Sequence, residues 1–145
     1  MPADVRPVTD GRDALLAFLA QQRLVLRVAS FGLTDEEARL TATRSALSVG
    51  GTIKHVAAVE RYWMAAVLER KGVASGEHVY TDNFHMTSAE SLDDVLTKYA
   101  SAAADTDGII AAILNLGQAV PVPRDVPRFL KEVAVDLTRF DGHFC

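Results

Sequence analysis

The chain has 145 residues, 49% of them hydrophobic, with a formal net charge of −4 and one cysteine. That is one domain's length with enough apolar content for a core, and an acidic balance without a basic cluster gives no electrostatic reason to bind nucleic acid or anionic lipid. No run approaches the ~20 apolar residues of a membrane span, the N-terminus lacks an apolar signal region, and a lone cysteine fits a reducing compartment, so the expectation is a single cytoplasmic domain over residues 1–145.

Residues 1–8 read as an extended lead-in, because Pro2 and Pro7 donate no backbone hydrogen bond. A first helix is predicted from Thr9 or Asp10 to Ser30, with Leu15, Phe18, Leu19, Gln22, Val25, Leu26 and Ala29 facing inward and Gly32 breaking the pattern. Leu33–Leu40 reads as a short helical turn capped by Thr34. Asp35, Glu36 and Glu37 fill its first turn, where the helix dipole favours negative charge.

The central stretch runs from Ser48 to Lys71. Val49, Ile53, Val56, Val59, Trp63 and Val67 recur every three or four residues, as one buried helical face requires. Ser48 is the expected N-cap and Gly72 the expected C′ residue. Lys54, Arg61, Ala65 and Glu69 are assigned to water, and Tyr62 and Trp63 to core packing. Glu60 falls on the core side and needs a partner, for which Arg12, Arg44 and Arg128 are the candidates. His55 sits at the edge of the stripe, where a single histidine usually keeps one nitrogen in water.

A long connection follows, KGVASGEHVYTDNFHMT, longer than most helix–helix links. His78 and His85 lie in it without another ligand type at a metal-binding spacing, so both read as surface or packing residues. The next helix is predicted to open on a Thr87/Glu90 capping box and run to Leu116. Its inner stripe comprises Leu92, Val95, Leu96, Tyr99, Ala102, Ala103, Thr106, Ile109, Ile110 and Ile113, while Asp93, Asp94, Asp105 and Asp107 read as solvated surface. Gly117 ends it, and GQAVPVPRDVP should be extended. A last helix starts at Asp125 with Pro127 in its first turn. Leu130, Val133, Leu137, Phe140 and Phe144 point inward, with Asp136 and His143 along the flank. Cys145 reads as an incidental thiol.

Four amphipathic segments so connected describe an all-α four-helix bundle with a short final helix, an architecture that builds metal sites from facing helices. LSVGGTIKHVAAVERYW, FHMTSAESLDDVLTKYASAAADTDGII and PVPRDVP resemble the DinB/YfiT-like superfamily, in particular its actinobacterial branch related to mycothiol-dependent maleylpyruvate isomerases. GGTIKHVAAVERYW is the most specific piece and FHMT the second. The resemblance implies a DinB-like bundle with a divalent metal, zinc or nickel, held by a histidine of the second long helix and two residues four apart on the last.

His55 matches the first position. On the last helix, aligned through Gly142 and His143, the next ligand position falls on Asp136, which can coordinate, and the third on Phe140, which cannot. His143 follows one turn later, so the implied metal set is His55, Asp136 and His143, with a low-molecular-weight thiol such as mycothiol as co-substrate. Two readings stay open. In one, the metal lowers the pKa of a bound thiol or water for thiol transfer or thiol-assisted isomerisation. In the other, Phe140 marks a lost site and the bundle is a non-enzymatic homodimeric interaction or stress-response protein, a second copy covering its exposed stripe.

Overall fold

A side-chain oxygen starts every helix described in the computed structural model, which covers residues 5–41, 44, 46–69 and 84–120. Helix α1 (Gly11–Ser30) is capped by Asp10, α2 (Asp35–Arg39) by Thr34, α3 (Val49–Val67) by Ser48 and α4 (Leu92–Ala112) by Ser91. Each oxygen accepts from the third residue onward, which satisfies one of the N–H groups a helix start leaves unpaired. The regular elements among the described residues are all helices, without a strand. Gly72, His78, Arg128, Cys145 and the predicted last helix, with Asp136, Phe140 and His143, lie outside them.

The core lies between α3 and α4. Ile53 and Ala57 of α3 meet Leu92, Val95, Tyr99 and Ala102 of α4, with Ala38 of α2 and Met86 closing one end. The buried residues of α4 are Leu92, Val95, Tyr99, Ala102, Thr106 and Ile110, all on the predicted stripe. This stripe is legible because α4 buries a single face at helical spacing. α2 is fastened beneath: the Asp35 carboxylate accepts from the Leu92 N–H at 2.7 Å, and Arg39 Nε donates to the Thr87 carbonyl at 3.0 Å.

Three expectations need correction. α4 ends at Ala112, not Leu116, and begins at Leu92, not Thr87, because Thr87 and Glu90 close a separate turn before the helix. In that turn the Glu90 carboxylate accepts from the Thr87 N–H at 2.9 Å, and Ser91 with Asp94 then caps the helix itself. α3 ends at Val67 rather than Lys71, and Glu69, with φ of 52°, takes the left-handed position after the helix. Ala65, assigned to water, is only 8% exposed. Tyr62, on the side of α3 opposite Ile53, is 3% exposed, so this helix is enclosed on two faces and not one.

α1 departs most from its predicted face. Its buried residues are Ala17, Arg23 and Ser30, whereas Leu15, Phe18 and Val25 are exposed. The reason is that α1 is held by charge. Arg12 donates to the carbonyls of Ile110 and Ile113, where the C-terminal end of α4 presents unpaired acceptors and negative dipole. Arg23 turns inward between α3 and α4, and the apolar side chains on the other faces of α1 follow that orientation outward.

Candidate functional site

The first turns of α3 are built for close approach. A Cβ placed on Gly51 would lie 1.8 Å from the Phe84 carbonyl oxygen, and one on Gly50 would lie 2.5 Å from Met86 Sδ and 3.0 Å from the Ala38 carbonyl. Only residues without a side chain let the segment from Phe84 to Ser91 press against the helix here. Once seated, that strap is tied down by Lys54, whose Nζ donates to the His85 carbonyl and to Glu90 Oε2, both at 3.0 Å. Burial pulls the Glu90 carboxyl upward, but hydrogen bonds from Thr87 and Lys54 outweigh it and hold the group below its ordinary 4.5.

His55 lies one turn beyond the glycines. Its ring stacks on Phe84 with centroids 3.9 Å apart and planes 16° from parallel, and it is half-buried. The stack fixes the plane of the imidazole. His85 is exposed and meets α3 through its backbone, in keeping with a surface histidine. Among the described residues no three His, Cys, Asp or Glu side chains converge as a metal-binding group. Of the three implied ligands, His55 is described, while Asp136 and His143 lie outside the described residues.

The two sequence stretches that carried the resemblance thus form one contact, GGTIKH against FHM. The family profile for mycothiol-S-transferases matches residues 14–143, which include both. The chain belongs to the mycothiol-S-transferase family. A search of individual curated proteins finds no match. No described helix of this mycothiol-S-transferase family member is long and apolar enough to cross a membrane.

A second polar feature of this family member lies deeper and went unnoticed in the sequence. Arg23 Nε and Nη2 grip both oxygens of Glu60 at 3.0 and 2.8 Å, and Nη1 donates to Asp107 at 2.7 Å. The Arg23 side chain is 8% exposed and that of Glu60 12%. Burial works against the charged guanidinium, yet the two carboxylates prevail and raise its pKa. Glu60 does therefore sit in a salt bridge, but its partner among the described residues is Arg23 rather than Arg12 or Arg44, and Arg128 lies outside them. Arg12 is engaged at the end of α4 and Arg44 is exposed. Asp107, assigned to solvated surface, is the third member. The missed signal was an arginine among apolar neighbours, QRLVLRV, at the helix position facing a core glutamate. Tyr99 lies close by, its hydroxyl pushed up to about 12, first by burial and then by the charge of Glu60.

Proposed function

We propose that this protein is a cytoplasmic thiol-dependent transferase or isomerase that uses a low-molecular-weight thiol of the mycothiol type. His55, Asp136 and His143 hold a divalent cation, zinc or nickel. The observation that carries the reading is the family match over residues 14–143, which takes in all but the first residues and the last two. Two imidazoles and a carboxylate fit zinc chemistry, and three protein donors leave the open position that a catalytic site keeps. When bound, such a metal lowers the pKa of a coordinated thiol or water and so supplies a nucleophile at neutral pH.

The chain's own part is positioning. Phe84 sets the ring plane of His55, Gly51 lets Phe84 approach, and Lys54 and Glu90 hold the strap that carries Phe84. A histidine locked in this way loses little further rotational freedom on coordination, which favours binding. The test measures metal content and thiol consumption together. About one equivalent of zinc or nickel is expected in the purified protein. His55→Ala should lose it, along with mycothiol-dependent consumption of an electrophilic substrate.

The second reading, a non-enzymatic homodimer, is favoured by the exposed side chains of Leu15, Phe18 and Val25 on α1, Phe18 being 56% exposed. A dimer by light scattering that takes up no metal after supplementation and consumes no thiol would put that reading ahead.

A further inference from the structure

The groove between α3 and α4 gathers positive charge that the sequence keeps apart. Lys54 and Arg61 stand two turns from each other along α3, and Lys98 reaches in from α4. Between them Ala57 and Ala58 are too small to fill the gap, and Val95 of α4 closes the base, so a groove of about 400 Å³ opens with an apolar floor and cationic walls. No described acidic residue lines it. It shares no lining residue with the cavity between α1, α3 and α4, and His55 lines neither.

The carboxylates near these cations are anchored elsewhere. Glu90 accepts from Thr87 and from Lys54. Asp94, which feels the charge of Lys98, is held in the Ser91 cap. Asp105 is 65% exposed. Lys98 Nζ stands 3.7 Å from Glu90 and Arg61 Nη1 3.9 Å from Asp105, both beyond hydrogen-bond distance. Arg61 gives one N–H to Ser101 Oγ at 3.2 Å, which leaves most of its five donors for another acceptor.

We infer that this groove binds a small molecule carrying a single carboxylate or phosphate group on a short apolar body. Arg61 and Lys98 take the anionic head from two helices, the guanidinium offering paired N–H donors, and Lys54 adds its charge. The body lies on Ala57 and Ala58. The volume falls in the range of small-ligand pockets. An extended polyanion is disfavoured, because Glu90, Asp94 and Asp105 stand beside the cations and the chain carries −4 overall. A neutral ligand would gain only the small alanine floor. The site stands or falls without the proposed metal.

Phenyl phosphate and benzoate are the probes, with benzyl alcohol as the uncharged control and inorganic phosphate and acetate as heads without a body. Each is titrated into the full chain at low salt and followed by calorimetry and methyl NMR. At least one probe should saturate one-to-one and shift the Ala57 and Ala58 methyl signals, and the tighter of the two names the head group. Benzyl alcohol should not saturate, and the bare head should bind at least about threefold more weakly than its probe. Arg61→Gln with Lys98→Gln should weaken the tighter probe at least about tenfold, the loss of a charge-assisted hydrogen bond. Should that pair fail to fold, Lys98→Gln alone decides, at about threefold. Protein stripped of metal by a chelator and dialysed should bind equally, which separates the groove from the metal site. Failure of both probes to saturate would overturn the proposal. So would saturation lost with the metal, methyl shifts confined to other residues, or an affinity indifferent to the glutamine variants.

Discussion

The two sides of α3 are joined to their neighbours by opposite means. Toward α4 and the strap the contact is dense and apolar, with glycines admitting backbone at a distance no side chain would permit. Toward α1 the contact is one arginine gripping two carboxylates next to an open cavity. Dense apolar packing gains from every methylene and tolerates no intrusion. A buried ion pair contributes little net stability, because desolvation offsets most of the attraction, yet it is severe to break from one side. The first kind of joint fixes distance; the second fixes orientation and leaves room.

The difference predicts how each joint fails. Glu60→Ala strands Arg23 with only the half-exposed Asp107, and should cost about 3 kcal/mol in denaturant unfolding. Replacing both partners together, Arg23→Met with Glu60→Leu, should recover most of that loss. If the double variant is no more stable than Glu60→Ala, α1 is held by something other than these charges.

Gly51→Ala attacks the other joint. Its Cβ collides with the Phe84 backbone, which cannot rotate aside, so the strap must lift, at about 2 kcal/mol. Removal of the His55–Phe84 stack should accompany it, read from the imidazole proton shifts in NMR. Gly50→Ala should be milder, since the nearest atom is a flexible methionine sulfur.

The smallest effect concerns pH. Glu90 is held below its ordinary 4.5 in the folded protein, so folding binds fewer protons than unfolding at that site. Its stabilising contribution is complete above the unfolded value and fades as acid drops through the folded one. Melting temperature should therefore fall less steeply below about pH 4.5 in Glu90→Gln than in the parent. Parallel curves would mean that the Lys54–Glu90 link does not fasten the strap.

Local rules made most of the helices legible. Asp10, Thr34 and Ser48 start helices where the sequence placed them, since a cap depends on three or four neighbouring residues. The stripe of α4 was readable for the same reason. What escaped depends on partners far along the chain. Thr87/Glu90 and Ser91/Asp94 both satisfy the capping pattern, and only the packing of α2 beneath Leu92 selects the second as the helix start. The pairing of Arg23 with Glu60 spans 37 positions and fixes the rotation of α1 about its own axis. That rotation explains why Leu15 and Phe18 are exposed despite ideal spacing, while Val25 stays at the cavity between α1, α3 and α4. At the proposed metal site the sequence identified His55 and its helix, but nothing in its spacing announced the ring of Phe84 beneath the imidazole.

The pairing of Gly51 with Phe84 has a consequence for how sequences of this kind can change. A hydrogen atom at one position and a main-chain oxygen at the other occupy a shared gap, so Gly51 cannot gain a side chain unless the backbone at Phe84 moves. Any relative with a larger residue at Gly51 must carry a compensating insertion, deletion or rerouting near Phe84, and a graft that transplants one stretch should bring its mate.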